Sequence, residues 1–373
     1  MAAGYRLTNV QAGLLLALGA PCVLVHILDY TGATSSSAYS RDLWCFEMFA
    51  GTAGVHKSFR RMGMASAKYD RDIDSDSMDF STLLGFLVAC QYVLRVKANG
   101  LLWGGLPCSL HVWISRGTSG KSRDNPRGIC NGVFKHDCVR IANLVAARYA
   151  MVVLVCLVRQ VMWVTEQPAS SVAPFLPYLE VALYTARQML GFPAGLLQKF
   201  WMGLFGSRSL KRSALFGSAP YITQFSIQNR VTSEDREKFK WNSAGNTKLS
   251  RTKSGRKNVS GGPRLTSTQA YPTKFCNKVA SYHKKFCVDP KSFPALPDAY
   301  QLKTGPHDFV DSSVWQDAQL DEFVLFLKKE ARLGHFQPRP NVPLRCEPLS
   351  RDEVSIYFQL VNPTSNKKRG RDD

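Results

Sequence analysis

The sequence predicts an α/β fold built on a Rossmann-like, doubly wound and mostly parallel sheet. From residue 42 to about residue 217, short apolar segments of strand length alternate with longer segments of helical pattern, which is typical of parallel sheets with helical connections. A glycine turn at Gly51, a thiol at Cys108 and a carboxyl at Glu166 each follow one of the apolar segments. Because ligands bind at the carboxyl ends of the strands in open α/β sheets, these groups predict a site at one edge of the sheet.

The apolar runs and the turn residues between them define the elements in order. Strands are predicted over residues 43–50, 65–69, 78–80, 101–106, 161–165, 199–204 and 214–216, and helices over residues 54–62, 82–95, 134–159 and 171–190. The connection 107–131 has 25 residues, far more than an ordinary strand-to-helix loop, which indicates a functional loop. The longest helix contains Arg148, so we interpret it as a buried helix before a membrane span.

The chain of 373 residues, 45% of them hydrophobic, is long enough for one large core with appended segments. We predict an apolar N-terminal segment (1–40), a catalytic-type domain (41–217), a basic flexible insert (218–264), a C-terminal region (265–360) with a helix near 320–332, and a disordered basic tail (361–373). The apolar run 7–28 is interpreted as a buried segment rather than a signal peptide, because Pro21 interrupts it and no small-residue cleavage site follows.

Charge and cysteine usage indicate the partner and the compartment. The formal net charge is +20, and residues 206–285 alone hold 17 Lys or Arg against 3 acidic residues. Such a stretch predicts a nucleic-acid partner, with a merely solvated basic segment as the alternative. Ten cysteines without a C-x-x-C pair are typical of a reducing compartment, so the protein is expected in the nucleus or cytoplasm and no membrane is expected as a partner.

The turn Phe49-x-Gly51-x-x-Gly54 follows a predicted strand and opens a helix, which suits a nucleotide-like ligand, because glycine lets the backbone approach closely and the helix start offers free N–H groups. Asp70 ends the next strand 19 residues later, where a carboxylate would bind ribose hydroxyls. Asp79 is a candidate for the adenine amino group. Two simpler interpretations remain open: the turn only packs a helix on the sheet, and Asp79 belongs to a solvated acidic loop.

Cys108 and Glu166 are the candidate catalytic residues. Cys108 follows Pro107 at a strand end and precedes a loop rich in cations, and cations favour the thiolate that acts as nucleophile. Glu166 follows an apolar run, where desolvation raises the pKa of a carboxyl toward a value useful for donating a proton. The alternatives are a structural cysteine and a helix-capping or ion-paired glutamate.

Two further motifs were weighed. Residues 117–122 end in Gly-Lys-Ser like a phosphate-binding loop, but Ser115 stands where that motif needs glycine and Pro126 interrupts the helix that should follow. A zinc site is also conceivable, although the spacing fits no standard pattern; its ligands would come from Cys108, His111, Cys130, His136 and Cys138. We therefore predict no metal.

At these positions the chain resembles the S-adenosylmethionine-dependent methyltransferases, and most closely the cytosine-5 DNA methyltransferases. The turn at 47–54 (Glu-Met-Phe-Ala-Gly-Thr-Ala-Gly) is similar to the first motif of that family. The segment 107–109 (Pro-Cys-Ser) with 124–128 (Asp-Asn-Pro-Arg-Gly) is similar to its catalytic motif, and 166–168 (Glu-Gln-Pro) to its Glu-Asn-Val motif. The resemblance covers roughly residues 41–217. Ser109 and 167–168 depart from the family pattern, and a basic low-complexity stretch stands where a target-recognition domain would normally follow.

The resemblance implies S-adenosylmethionine as cofactor and methyl transfer to carbon 5 of cytosine in nucleic acid, DNA before RNA. Cys108 would be the nucleophile and Glu166 the group that binds the base, and the cofactor would lie on Phe49, Gly51, Gly54, Asp70 and Asp79. The nucleic-acid contacts are expected from basic residues of the loop 107–131 and of the segment between the predicted strands 199–204 and 214–216; they are Arg116, Arg127, Arg208, Lys211 and Arg212. The alternatives are the same fold with another methyl acceptor or without activity, and a non-enzymatic nucleic-acid-binding protein.

Overall fold

The protein is built around a six-stranded, mostly parallel sheet. The structure is a computed structural model that describes residues 7–34, 41–190, 196–228, 231–242, 247–251, 257–261, 268–293 and 312–361. The strands are β1 (Leu43–Met48), β2 (Ser66–Tyr69), β3 (Val96–Gly104), β4 (Ile129–Cys130), β5 (Val133–Phe134), β6 (Met162–Pro168), β7 (Leu196–Trp201), β8 (Arg212–Gly217), β9 (Thr247–Arg251) and β10 (Lys257–Gly261).

The order of strands in the central sheet is β2-β1-β3-β6-β8-β7, and two small antiparallel pairs, β4–β5 and β9–β10, lie outside it. Strands β1, β2, β3 and β6 are parallel, and β8 runs antiparallel between β6 and β7. After β1 the chain moves to β2 on one side and then crosses to β3 on the other. A switch point therefore lies between β1 and β3, which is where open α/β sheets bind their ligands.

The helices cover both faces of this sheet, so the predicted α/β class with a mostly parallel sheet is confirmed. They are α1 (Asn9–Ala17), α2 (Cys22–Thr34), α3 (Gly54–Arg61), α4 (Leu83–Arg95), α5 (Arg116–Ser119), α6 (Asp137–Val158), α7 (Pro177–Leu190), α8 (Ser233–Asn242), α9 (Thr273–Val288), α10 (Asp321–Arg332) and α11 (Arg351–Val361). Side chains alternate between the faces along a strand. Leu102 belongs to one core, with α1, α2, α4, α6, α7 and α10, whereas Trp103 belongs to the other, with α3 and α9.

The two ends of the described chain pack on the same body. Helices α1 and α2, from the apolar segment 1–40, lie in the first core, where α1 contacts α11 and α2 contacts α10. Helix α9 lies in the second core beside α3. Part of the stretch 218–264 forms α8 and the β9–β10 hairpin. The predicted basic tail, apart from Val361, lies outside the described residues.

Two details of the sequence-based prediction are wrong. Residues 78–80 form no strand, because hydrogen-bonded turns run from Asp74 to Thr82 and the Thr82 hydroxyl caps α4 by accepting from the Gly85 N–H at 3.0 Å. Glu166 lies within β6 rather than beyond its end, because β8 continues the pairing and places Leu215 opposite Glu166. The remaining predicted elements of the sheet domain are present with shifted ends.

Helix α6 is the central helix of the first core. By length and apolar composition it is also the one helix among the described residues that could cross a membrane, and most of it is buried inside the fold. Arg148 lies at its middle and is 1% exposed. Its guanidinium donates to the carbonyls of Ser81 (2.8 Å), Thr82 (3.0 Å) and Ala318 (3.0 Å), and it also pairs with Glu322. This arginine therefore joins α6 to the start of α4 and to the C-terminal region.

Replacing Arg148 by Met should lower the free energy of unfolding by about 2–4 kcal/mol, because several carbonyls would lose a charged donor in a buried setting. The matched control is Arg140→Met on the same helix, since Arg140 pairs with Asp137 on the exposed surface and such pairs contribute less than about 1 kcal/mol. Urea unfolding followed by circular dichroism measures both. Equal losses in the two variants would contradict the structural role assigned to Arg148.

Candidate functional site

The glycine turn lies at the switch point, directly after β1. Three residues of the turn have left-handed backbone, with φ of +56° at Phe49, +49° at Gly51 and +54° at Ala53. The Asp70 carboxylate accepts from the Gly51 N–H at 2.8 Å, so the residue predicted to bind ribose also holds the turn to the end of β2. A Cβ on Gly51 would meet no atom within 4 Å. Open space therefore lies beside the turn.

Two other residues predicted to contact the cofactor have structural partners. Gly54 begins α3, and a Cβ there would come within 2.7 Å of the Cys276 sulfur, so this glycine allows α9 to pack close to the turn. The Asp79 carboxylate accepts from the backbone N–H and the hydroxyl of Ser81 at 2.9 and 2.6 Å. It is half-buried and stabilises the turn before α4, and nothing in this geometry assigns it to an adenine.

Glu47 lies beneath the turn and is fully buried. Its carboxylate accepts from the His56 N–H at 2.6 Å and from the Val55 N–H at 3.4 Å, in the first turn of α3. Burial raises the pKa of Glu47 to about 7, against the lowering by these hydrogen bonds. This carboxyl fixes the start of α3, a role that the sequence analysis did not give it. An acidic residue inside an otherwise apolar strand was the available signal.

Cys108 lies four residues after the end of β3, the strand next to β1 in the sheet. The Gly105 N–H donates to the Met48 carbonyl at 3.0 Å. This bond holds the start of the loop 107–131, the cysteine loop, against the glycine turn. The thiol is partly exposed. Its pKa is raised, chiefly by burial; the positive charge of Lys211 lowers it and the negative charge of Glu166 raises it. The thiol therefore keeps its proton at neutral pH, and a base must take that proton when the sulfur acts as a nucleophile.

Glu166 is the centre of a polar cluster with residues from two other parts of the chain. Its Oε1 lies 3.5 Å from the Lys211 Nζ, and its Oε2 accepts from the Tyr271 hydroxyl at 3.2 Å. Glu166 is 5% exposed, so the ammonium of Lys211 offsets part of the cost of burying its charge. The structure thus brings together Cys108 and Glu166, the predicted catalytic pair, with Lys211, predicted as a nucleic-acid contact, and with Tyr271, which received no predicted role.

Tyr271 packs against the strands that carry the site. Its ring meets Trp103 of β3 edge to face at 5.9 Å, and a Cβ on Gly105 would approach its hydroxyl to 3.1 Å. Burial raises the pKa of Tyr271 well above its ordinary value, with a further contribution from the charge of Glu166. The hydroxyl is therefore a donor to Glu166 throughout the physiological range. Tyr271 and Glu166 are 105 positions apart in the sequence, so a local motif does not predict this contact.

Gln167 joins the strand of Glu166 to the cysteine loop. Its side-chain N–H donates to the Leu106 carbonyl at 2.5 Å, and its side-chain oxygen accepts from the Ser171 hydroxyl at 2.8 Å. Gln167 is 1% exposed. The amide that departs from the family pattern therefore holds Pro107 and Cys108 at the end of β3.

A buried polar network fixes the rest of the loop 107–131. The Lys121 Nζ donates to the Asn143 side chain on α6 and lies 3.1 Å from the His111 Nδ1. The Asn143 amide donates to the Arg127 carbonyl at 2.9 Å. Burial lowers the pKa of Lys121 to about 7, and burial and the adjacent ammonium lower the pKa of His111. Lys121 is 2% exposed, so it supports the loop and is not placed to bind a phosphate.

The five predicted nucleic-acid residues differ in availability. Arg127 donates to both oxygens of Asp317, at 2.6 and 2.8 Å, so this geometry does not support it as a nucleic-acid contact: its guanidinium is already bound to a carboxylate from the C-terminal region. Lys211 belongs to the Glu166 cluster. The exposed arginines are Arg116, Arg208 and Arg212, of which Arg212 lies over the Trp201 ring at 5.5 Å.

Within the described part of the chain, no group of three or more His, Cys, Asp or Glu side chains is arranged to hold a metal ion. No protein-family model, no curated protein and no solved structure matches this chain. The function proposed below therefore rests on the geometry of the site and on the sequence resemblance.

The titration of Cys108 should respond to its two charged neighbours in opposite directions. Lys211→Met should raise the pKa of the thiol, because the thiolate loses a cation, and Glu166→Gln should lower it, because the thiolate loses a nearby anion. The measurement is the rate of alkylation by iodoacetamide as a function of pH, followed on the Cys108 peptide by mass spectrometry. The peptide of the exposed Cys130 provides the reference in each sample. Shifts of the same sign in both variants would show that the three groups do not share one site.

Proposed function

We propose that this protein transfers a methyl group from S-adenosylmethionine to carbon 5 of cytosine in nucleic acid, with Cys108 as the nucleophile. The observation that carries the proposal is the convergence of Cys108, Glu166 and Lys211 beside the glycine turn at the switch point of the sheet. The Rossmann-like sheet would then be of the methyltransferase type. That combination of thiol, carboxyl and nucleotide-type turn is what this chemistry requires.

The residues of the turn fit the cofactor. The space beside Gly51 is open, and Asp70 stands at the rim of the turn with its carboxylate half-buried. When bound there, S-adenosylmethionine supplies an activated methyl group. Phe49 contributes an aromatic ring that meets Phe80 and Tyr149 at 5.5 and 5.8 Å, which fixes the wall of the turn on the side of the first core.

The thiol and the carboxyl have complementary tasks in this reaction. Carbon 5 of cytosine is a weak nucleophile until the Cys108 sulfur bonds to carbon 6, which turns the ring into an enamine. Glu166 hydrogen-bonds or protonates ring nitrogen 3, so the ring accepts the electron pair. After methylation, a water molecule takes the proton from carbon 5, the electron pair of that bond re-forms the 5,6 double bond, and the Cys108 sulfur leaves as the thiolate, which restores the aromatic ring. The base must leave its stack to reach such a site.

Lys211 and Tyr271 tune the two catalytic groups. Lys211 favours the Cys108 thiolate and pairs with Glu166. Tyr271 occupies one oxygen of Glu166 and so fixes the plane of the carboxyl relative to the incoming base. The exposed Arg116, Arg208 and Arg212 would contact phosphates, which position a nucleic acid without specifying its sequence.

One observation favours a second candidate. The raised pKa of Cys108 makes the thiolate scarce at neutral pH, which suits a methyltransferase of the same fold whose acceptor needs no covalent thiol, or one without activity. A non-enzymatic nucleic-acid-binding protein would need neither the open turn nor the Glu166 cluster. The next two experiments separate these cases.

An oligonucleotide that contains 5-fluorocytosine should trap the protein covalently when S-adenosylmethionine is present, because fluorine blocks the final loss of the proton from carbon 5. Cys108→Ser should reduce the adduct at least about a hundredfold, whereas Cys130→Ser, at an exposed cysteine in the same loop, should leave it unchanged. Denaturing gels read the adduct. No adduct in the parent protein, or an adduct that survives Cys108→Ser, would count against the thiol mechanism.

Calorimetry should detect binding of S-adenosylmethionine. Asp70→Asn should weaken it about tenfold or more, because the amide keeps an acceptor for Gly51 but loses the charged acceptor for ribose hydroxyls. Asp72→Asn is the matched control, since Asp72 lies two residues away in the same exposed turn. If the parent protein gives no heat of binding, the cofactor assignment fails and the non-enzymatic alternative gains support.

A further inference from the structure

Helices α3 and α9 lie side by side on one face of the sheet and run in the same direction. Gly54 faces Cys276, the Ser58 hydroxyl donates to the Asn277 side chain at 2.9 Å, and the Phe59 ring meets His283 at 5.2 Å. Both helices begin near the glycine turn and extend away from the candidate site along the outside of the second core.

The outer surface of this helix pair is strongly basic. Together, Gly54–Arg61 and Thr273–Val288 contain seven Lys or Arg and no Asp or Glu. Six cations near the contact between these helices and on the adjacent strand β2 form one surface, which we call the basic α3–α9 face. They are Lys57, Arg60, Arg61, Lys68, Lys274 and Lys278. Five of the six are exposed, and Lys278 is partly exposed.

These cations are not neutralised by neighbouring carboxylates. In the part of the chain that the structure describes, none of the six forms an ion pair. The carboxyl beneath them, Glu47, is fully buried. After burial, the charges of Lys68, Arg60 and Lys57 also lower the pKa of His56, so the positive potential is felt by a side chain within the face.

A groove accompanies the charge. An open cavity of about 550 Å³ lies along α9 within this face, and five of its six lining residues belong to that helix; they are Thr273, Lys274, Asn277, Lys278, Ser281 and, just after the end of α3, Met62. Ammonium groups with amide and hydroxyl donors are the set that contacts phosphate oxygens in nucleic-acid complexes. The lining follows α9 from Thr273 to Ser281, which is about 12 Å at the helical rise of about 1.5 Å per residue, and such a length suits an extended polyanion better than a compact anion.

We propose that the basic α3–α9 face binds the phosphodiester backbone of a nucleic acid. This surface is separate from Arg116, Arg208 and Arg212, the exposed arginines predicted from the sequence. Binding to it does not depend on methyl transfer. The end of this face nearest the glycine turn lies at Thr273, the first residue of α9. Thr273 is two residues after Tyr271, which contacts Glu166. A strand bound in the groove would therefore approach the candidate site from the side of the glycine turn, and it would add affinity without sequence preference.

The test compares two triple variants that remove the same charge. Arg61→Gln, Lys274→Gln and Lys278→Gln remove three of the six positive charges of the face. The second triple, Lys328→Gln, Lys329→Gln and Arg332→Gln, removes three exposed cations of α10, a helix that also carries three acids. Binding to a labelled DNA duplex is measured by fluorescence anisotropy at several salt concentrations, with no S-adenosylmethionine and in the Cys108→Ser background, so that failure of the catalytic proposal does not affect the result.

The first triple variant should bind at least about tenfold more weakly at moderate salt, and its plot of log affinity against log salt should be shallower by about 2 to 3, since each lost phosphate contact removes about 0.9 from the slope for duplex DNA. The α10 variant should match the parent in slope. Equal losses in both triples would overturn the proposal, because only net charge would then matter. Binding to vesicles of phosphatidylcholine and phosphatidylserine, with no binding to DNA, would overturn it in favour of a membrane surface.

Discussion

The parallel register of β1, β3 and β6 is the constraint on which the rest of the site depends. Met48 pairs with Gly104, and Gly104 pairs with Thr165, so β1 and β3 end at the level of Thr165, next to Glu166 in the continuing strand β6. That shared level brings the glycine turn, the cysteine loop and Glu166 to one edge, although 117 positions of sequence separate Met48 from Thr165. A slip of one residue in any of these pairings would turn the side chains of that strand to the opposite face. Backbone hydrogen bonds between the strands therefore set the relative positions of these three segments, independently of the side chains that the segments carry.

Hydrogen bonds from polar side chains then fix the loops that follow these strands. Gln167 ties β6 to the start of the cysteine loop, and Asn143 ties the loop to α6. Arg127 ties the same loop to the C-terminal region through Asp317. Each contact leaves buried donors and acceptors satisfied, and an unsatisfied group there would cost about 1–3 kcal/mol. The loop is long, yet it is fixed at several points along its length, as the proposed role of Cys108 as a nucleophile would require.

Local patterns were sufficient to predict the sheet and most of its helices, because apolar runs and glycine turns lie within single segments of sequence. The patterns predict β1, α3, β2 and α4 within a few residues of their ends. They also give Cys108 and Glu166 as candidate catalytic residues, whereas Lys211 is predicted only as a nucleic-acid contact. The features that these patterns do not reveal have two physical causes, local turn chemistry and contacts between distant parts of the chain. Residues 78–80 look like a strand until the turn chemistry of Asp79 and Thr82 is considered. Arg127 looks like a free cation because its partner, Asp317, lies 190 residues away. Tyr271, which directly precedes α9, lies 105 residues from Glu166 and reaches it only through the packing of that helix. No spacing rule encodes such pairings.

The buried Lys121 gives the cysteine loop a coupling to protons. Its pKa falls from that of an ordinary lysine to about 7 when the loop packs on α6, so between about pH 7 and the usual lysine range the unpacked loop binds more protons than the packed one. Ordering the loop in that interval releases a proton, and the packed arrangement gains stability as the pH rises through it. Below about pH 7 the amine is charged in both states and the dependence ends. A fall in pH from the alkaline range toward 7 thus favours a loosened loop next to Cys108, because the free amine takes up a proton that the packed amine does not.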